Sequence, residues 1–596
     1  MTTLAPSAEA TAAPVRRRIN FRFSVDGRSA ACLAAGEDGL LRPEYWDVGG
    51  GQASPRPIRL DAAVETQATQ LLPLDDGTVV LSRADGQFAW HRHSDTRALG
   101  RSRIPGRLRL LAGASPQDLA LVIGAPADHP AGLHRIRADG SVTENQIQLP
   151  GAVWGGFWLD AERTRLGTTL VSGGTVQPIA VSVTSGAWKP LLPVARGSQL
   201  RLVDCAPASG LLLLRQFRDG GHRLGWGRLE ESEPGGSAQF PDLLAQLGTA
   251  ALPLAIDPAG RRVALEVVDG ARSRLLLWTP EQDRLVEVEL PPGRLGGRGH
   301  WNEHGLRLPF DNGMTALGLI TVTDEPAGNS VRSHGDLALP GPAPQLASFD
   351  GPEGKLEAVV WGDPDPRRAR QLVLSLHGGP ASAWSLGYNQ LHQELAAAGT
   401  TVIGLNQRGS TGYGEAHRRA IQDAWGGPDL ADVRSVLRQL HRERAEADRP
   451  PPALLGASYG AYLALLAAAA EPTAVRRTAL LAPFLSGRRL HCQAGPHVRA
   501  LIERAGGLAE IQDELGPRDA LAWGPRIRGP LLIAHGAQDS VIPVDQSRAL
   551  HQELVRHDRE VDYLELPDAG HELFTGTGGA ATRRHVVTFL SEPERR

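Results

Sequence analysis

Seven turn-forming stretches, evenly spaced through the first half of this 596-residue chain, restrict its fold more than any other feature. They are Val25-Asp-Gly27, Asp75-Asp-Gly77, Ser115-Pro-Gln-Asp118, Asp160-Ala-Glu-Arg163, Pro207-Ala-Ser-Gly210, Asp257-Pro-Ala-Gly260 and Asn302-Glu-His-Gly305. Roughly 40–50 residues separate each from the next, the length of a four-stranded sheet. Each is followed by an alternating or apolar stretch, as in Arg262-Val-Ala-Leu-Glu-Val-Val268 and Ser273-Arg-Leu-Leu-Leu-Trp278. A pair of β-sandwiches would show similar strands but has no need of so even a period. The spacing predicts an N-terminal, all-β, seven-bladed β-propeller over residues 19–335.

The second half has a different period. A chain of this length exceeds a single core, and its hydrophobic fraction of 41% suits a soluble globular protein. Residues 1–18, rich in Ala, Pro and Thr, are expected to be a disordered tail. Pro340-Gly-Pro-Ala-Pro344 marks the domain junction. Across residues 336–596, apolar strand patterns alternate with helical segments at 391–398, 430–446 and 546–556. That alternation predicts a mostly parallel α/β sheet.

Within this half, Gly456-Ala-Ser-Tyr-Gly460 follows the apolar Ala453-Leu-Leu455 and precedes helix formers at 462–470. Strand, sharp turn and helix in that order lift a Ser hydroxyl out of a sheet, so Ser458 is the candidate nucleophile of an α/β-hydrolase domain. Small residues at 456 and 460 let strand and helix backbones approach closely. A bare G-x-S-x-G is common in a chain with 69 glycines; its flanking pattern and partners make it informative. Those partners follow in the order this fold requires. The apolar run at 530–534 empties into a loop ending at Asp539, and Tyr563-Leu-Glu-Leu566 leads to Gly570-His571. Both lie past strand ends, where open α/β sheets place their sites. His571 would act as general base and then acid; Asp539 would fix its tautomer and stabilise the imidazolium. Alone, Asp539 could be a loop cap and His571 a surface residue.

The strand-like Gln371-Leu-Val-Leu-Ser-Leu376 runs into His377-Gly-Gly-Pro380. Glycines there can turn a backbone N–H toward the cleft, so Gly379 and Tyr459 are the expected oxyanion donors. His377 is expected to fix the loop by hydrogen bonding rather than serve as a second base.

Together with Asn406-Gln-Arg-Gly-Ser-Thr-Gly-Tyr-Gly414, Trp425-Gly-Gly-Pro-Asp429 and His535-Gly-Ala-Gln-Asp539, these motifs resemble the prolyl oligopeptidase family of serine peptidases, nearest its acylaminoacyl-peptidase-like branch. The resemblance covers about residues 345–590. It implies the triad Ser458, Asp539 and His571, the two oxyanion donors, and a propeller that restricts access to short substrates.

The chain also departs from that pattern. The family commonly carries an Arg two residues after the catalytic Asp, and here that position is Val541. Arg408, Arg488, Arg489 and Arg499 are candidates to replace it. Glu230-Glu231, the nearest approach to an acidic pair for a free amino terminus, resembles a solvated turn. The segment 484–523 is expected to wall the acyl pocket, with Phe484, His497, Trp523 and Val541 as substrate-binding candidates.

A net charge of −3 gives no reason to expect a nucleic acid or an anionic membrane as partner. All but two of the 63 basic residues are arginines, and the lysines, Lys189 and Lys355, lie outside every motif. A Ser–Lys dyad, a Schiff-base lysine and a P-loop are thereby disfavoured. Cys32, Cys205 and Cys492 have no paired spacing, so neither a disulfide framework nor a zinc site is expected. Arg16-Arg17-Arg18 lacks the apolar run of a twin-arginine signal, and no stretch is long enough to span a bilayer. A cytoplasmic enzyme without metal or cofactor is the expectation. Its expected reaction is hydrolysis of amide bonds in short peptides through an acyl-enzyme. The alternatives are a narrower acyl-transfer, esterase or amidase role on a peptide-like metabolite (leader removal, drug inactivation or macrocyclisation) and a propeller scaffold with a degenerate hydrolase half.

Overall fold

A computed structural model describes residues 15–593 apart from 50–55, 60–63, 93–94, 102–106, 116, 126–129, 195–196, 219–220, 230–237, 248–250, 326–327 and 336–340. Seven antiparallel sheets, of three to five strands each among the described residues, occupy the N-terminal part. Every turn stretch singled out above joins the first and second strands of one sheet. The first strands, Arg17–Phe23, Gln70–Pro73, Arg107–Ala112, Ala152–Trp158, Leu200–Ala206, Ala251–Ile256 and the short pair Arg294–Leu295 and His300–Asn302, touch one another in succession around a ring. They are therefore the inner strands of a seven-bladed propeller.

Burial explains why the blades stack. In the first blade the second strand, Ser29–Ala35, is buried at every position, packed on both faces. An outer strand such as Arg284–Val288 is mostly exposed. The apolar side chains form several separate clusters, each shared by adjacent blades, rather than one core. The last blade meets the first through packing and side-chain hydrogen bonds. Phe21 and Trp46 of the first blade pack with Leu319 of the last. Arg307 donates to the Gly27 carbonyl at 3.3 Å, and Asn302 to that of Asp26 at 3.4 Å. Beneath them, Arg18 and Glu44 form a buried ion pair at 2.6 Å, and Glu44 also accepts the Trp46 indole N–H at 2.9 Å.

An eight-stranded sheet forms the C-terminal part, in the spatial order Gln345–Gly351, Gly354–Trp361, Thr400–Leu405, Gln371–Leu376, Ala453–Ala457, Thr478–Leu481, Leu531–Gly536, Val561–Leu566. The first two strands are antiparallel additions, and the other six run parallel. Helices cover both faces, so the central strands are buried throughout. The helical segments read from the sequence appear as Gln390–Ala397, Pro428–Glu446 and Asp545–Arg556. Backbone N–H groups donating to side-chain carboxylates tie the two parts together: Ala271 to Glu357 at 2.8 Å and Tyr388 to Asp311 at 2.6 Å. No helix among the described residues is long and apolar enough to cross a membrane.

Candidate active site

The strand Ala453–Ala457 ends one residue before Ser458, and the helix Tyr459–Ala470 begins one residue after it. Ser458 itself has φ +55° and ψ −119°, a conformation that L residues with a side chain rarely adopt. The turn holds this strain because its flanks are crowded. A Cβ on Gly456 would lie 2.1 Å from the Gly460 carbonyl oxygen, and one on Gly460 would lie 2.2 Å from that of Leu376. Only glycine fits at either position, which is the close approach read from the sequence.

Asp539 and His571 come together from the loops after Leu531–Gly536 and Val561–Leu566. His571 Nδ1 lies 2.7 Å from Asp539 Oδ2. The other carboxylate oxygen accepts the backbone N–H groups of Val541 at 2.8 Å and Ile542 at 2.9 Å. Burial pushes the Asp539 carboxyl upward, but hydrogen bonds from His535 and His571 and from the Ile542 N–H outweigh it and hold it well below the usual range. Asp539 is therefore an anion able to orient the imidazole.

His535, visible in the chain only as part of a motif, is a positioning residue. It is buried, with Nε2 2.9 Å from the Ile542 carbonyl and 3.3 Å from Asp539 Oδ2. Both neighbours can only accept, so Nε2 carries the proton and Nδ1 accepts from the Ser547 hydroxyl at 2.6 Å. That pair fixes the Asp539 loop from beneath.

The His377-Gly-Gly-Pro380 loop lies beside the elbow. A Cβ on Gly378 would sit 3.4 Å from the Ala457 carbonyl oxygen and 3.5 Å from Ser458 Cβ. Gly379 adopts φ +132°, a region open to glycine. His377 is buried, with Nδ1 2.7 Å from the Gly378 carbonyl and Nε2 2.8 Å from Ser410 Oγ. Burial drives its pKa down to about 4, so at neutral pH it is an uncharged brace. The 406–414 stretch supplies the rest of this support. Asn406 brackets Trp384, accepting its N–H at 2.7 Å and donating to its carbonyl at 2.9 Å.

Tyr459 begins the helix, and its side chain turns into the core, where the phenol donates to Asp429 at 2.5 Å. Burial raises the Asp429 carboxyl to about 6. Trp425 meets the Tyr459 ring edge-on at 5.1 Å between centroids. Trp425-Gly-Gly-Pro-Asp429 thus buttresses the backbone on which Tyr459 presents its N–H.

The expected substrate wall divides. Phe484 is 2% exposed and stacks on Tyr462 at 4.6 Å, and Trp523 is 1% exposed with its indole N–H on the Pro517 carbonyl. Both are core residues rather than an open lining, because their rings fill the space beneath the helix that follows Ser458. His497 is exposed on the helix Pro496–Arg504. Val541 is half-buried against the core next to Asp539. Of the arginines considered as replacements at that place, Arg408 is committed to Asp432 at 2.7 Å, Arg489 to Asp519 at 2.9 Å and Arg488 to Glu510 at 3.3 Å. Arg499 makes no ion pair among the described residues. Glu230 and Glu231 lie outside the described residues.

Between the two parts is a cavity of about 540 Å³. It is bordered by Arg17, Arg294 and Asp311 on the propeller side, and by Tyr388, Ala457 and Glu572 on the other. Ala457 and Glu572 are the chain neighbours of Ser458 and His571. No group of side chains suited to hold a metal ion occurs among the described residues.

Residues 387–593 match the model of the Prolyl oligopeptidase family. A Caenorhabditis elegans protein named dipeptidyl peptidase family member 6 is 27% identical over 43% of this chain and 35% of its own length. The human acylamino-acid-releasing enzyme is 22% identical over 40% and 34%, respectively. The chain thus spans about a third of the length of the curated relatives it matches. Whole-chain similarity appears in solved structures. The Pyrococcus horikoshii acylaminoacyl peptidase covers 97% of both chains with a TM-score of 0.72 at 14% identity. A puromycin-hydrolyzing peptidase of Mycobacterium tuberculosis covers 98% of this chain and 96% of its own, with a TM-score of 0.70 at 17% identity. At such identities these two establish the shared fold.

Proposed function

We propose that this chain, whose residues 387–593 match the prolyl oligopeptidase family, is a serine peptidase cleaving amide bonds of short peptides. The observations that carry the proposal are the Asp539–His571 hydrogen bond of 2.7 Å and a Ser458 held at φ +55° on the strand-to-helix turn of the same sheet. In the proposed cycle, Ser458 Oγ attacks the carbonyl carbon as His571 Nε2 takes its proton. The tetrahedral oxyanion receives the N–H groups of Gly379 and Tyr459. His571 then protonates the leaving amine, an acyl-enzyme forms, and water attacks the ester by the reverse roles. Asp539 stays ionised throughout and holds Nδ1–H toward itself. The propeller, stacked over the sheet, restricts the site to short substrates. A division into propeller and hydrolase domains at 335/336 remains part of this proposal, with the propeller starting at the strand Arg17–Phe23 rather than at residue 19.

A second, narrower reading has support from Val541, which offers no cation beside Asp539 to grip a substrate carbonyl. It is an amidase or acyl-transfer enzyme on a peptide-like small molecule; solved structures of similar fold include a protein titled puromycin hydrolase. A chromogenic panel separates the two: a blocked Gly-Pro amide, an acetyl-Ala amide, a free-amino Ala amide and a short aryl ester. Amide turnover that disappears in Ser458→Ala is the expected result, and the preferred amide identifies the branch. Ester turnover with every amide inert would overturn the peptidase proposal in favour of the narrower role.

A further inference from the structure

The inner strands of a propeller enclose its axis, and here their charges are one-sided. Across all the inner-strand stretches, Asp204 is the only carboxylate, whereas Arg17, Arg18, Arg22, Arg107, Arg109, Arg201 and Arg294 are cationic. Some of these are neutralised from outside the axis: Arg18 by Glu44 and Arg17 by Glu572 at 3.6 Å. Arg22 and Arg109 are not. Neither makes an ion pair among the described residues, and Arg109 donates only to the Gly156 carbonyl, at 3.2 Å.

Both line a cavity of about 810 Å³ that runs along the inner strands of six blades. A second cavity, of about 820 Å³, lies at the end where the strand-joining turns gather. The two share Phe157, Asp204 and His300, so they form one passage, and Arg298 lines its outer part. Arg298 is bound to Asp204 at 3.0 Å. The guanidinium groups of Arg109 and Arg298 each stand 5.3 Å from the Phe157 ring. Farther toward the hydrolase side, near the start of its strand, Arg201 stacks on Trp154 at 4.3 Å. Around Asp204, then, Arg298 and Arg109 face one carboxylate.

These like charges feel one another. Burial lowers Arg109 to about 10, with Arg22 and Arg298 adding to the fall and Asp204 opposing it. Arg22 is lowered by burial and by Arg298. Burial lowers His300 too, with Arg307 adding to the fall against Val25, Asp26 and Asp204. The arginines remain charged at neutral pH; Asp26, Asp160, Asp257 and Glu303 offset the arginines at the outer end, but in the inner part Arg22 and Arg109 outnumber the carboxylate of Asp204. A confined field of one sign concentrates counter-ions. Guanidinium groups match a carboxylate in plane and in donor spacing.

We propose that the propeller passage, through Arg22, Arg109 and Arg298, is a carboxylate-binding site that selects short acidic peptides as substrates. The carboxylate is that of the peptide's C-terminus or of an acidic side chain; both present the same planar anion. The proposal rests on the peptidase reading for its substrate class but not for its binding.

The test is calorimetric titration of the full chain carrying Ser458→Ala, which binds without turnover. The ligands are acetyl-Ala-Gly-Glu-Glu with a free C-terminal carboxylate, its C-terminal amide, and the uncharged acetyl-Ala-Gly-Gln-Gln amide. The acidic peptide is expected to bind about tenfold more tightly than the neutral one. The C-terminal amide of the acidic peptide distinguishes the two carboxylate sources. Adding Arg22→Gln and Arg109→Gln together should reduce the preference to less than about twofold, as should 1 M NaCl with the arginines intact. With Ser458 present, the same Arg pair should leave aryl ester turnover unchanged. Equal binding of acidic and neutral peptides, or a preference that survives both the substitutions and salt, would overturn the proposal. If the arginine variant fails to fold, the salt arm alone decides. Selective binding together with inert amides would leave the passage standing and sink the peptidase reading instead.

Discussion

The strand Thr400–Leu405 of the C-terminal sheet is buried along its whole length and carries no charge. The strand Arg17–Phe23 of the propeller alternates buried with accessible positions and carries three arginines. One lies in a layer covered by helices on both faces, the other between a packed blade and an open axis. The consequence is a division of labour. In the C-terminal part, polar chemistry is expelled past the strand ends, where Ser458, Asp539 and His571 each lie. In the propeller, polar side chains are admitted to the interior because the axis is wet. A sheet with two dry faces builds a rigid floor for a reaction; a ring of sheets builds a passage whose charge can vary without disturbing the floor.

The largest break in that comparison should come from Asp539→Asn. It replaces an acceptor by a group that can donate, so His571 loses the tautomer that receives the Ser458 proton. A fall of about 10⁴-fold in kcat is expected, with the propeller unaffected. Stability should respond as well. The Asp539 carboxyl is held below its ordinary value in the fold, so its contribution is present above the unfolded-state pKa and is lost as pH falls through the folded one. Denaturation midpoints of the parent and Asp539→Asn should therefore stay apart above about pH 4 and converge as the pH falls further below it. A gap that widened on acidification would contradict the hydrogen-bond assignment.

A smaller effect, confined to the other half, is expected from Glu44→Ala. It removes the carboxylate that pairs with the buried Arg18 guanidinium and accepts the Trp46 indole N–H, at a cost of about 3–5 kcal/mol. If the halves are as independent as their cores suggest, calorimetry should show an early transition from the propeller and a later one little changed. A single transition shifted as a whole would show that the interdomain hydrogen bonds couple them more strongly than their separate cores imply.

Much of this was legible in the chain, for reasons that differ between the halves. The elbow could be read because backbone crowding leaves only glycine at 456 and 460. The seven blades could be read because each first hairpin needs a tight turn and the blade length repeats. The roles of His535, Asp429 and the Tyr459 phenol were not legible. They depend on which side chains meet across the fold, and their motifs carried names without contacts. Phe484 and Trp523 misled for a related reason: a large aromatic in a variable segment can wall a pocket or fill a core, and only packing decides. The charge of the passage was written in the inner strands, yet nothing identified them as inner until the ring closed.

The central claim is that Ser458 is an activated nucleophile oriented by the Asp539–His571 pair. Its most direct test is labelling by a serine-directed aryl phosphonate, followed by peptide mass mapping. A single adduct on Ser458, forming on the intact chain, greatly slowed in Asp539→Asn and absent in Ser458→Ala, is the predicted result. No adduct on the intact chain, or one formed equally fast without Asp539, would contradict it.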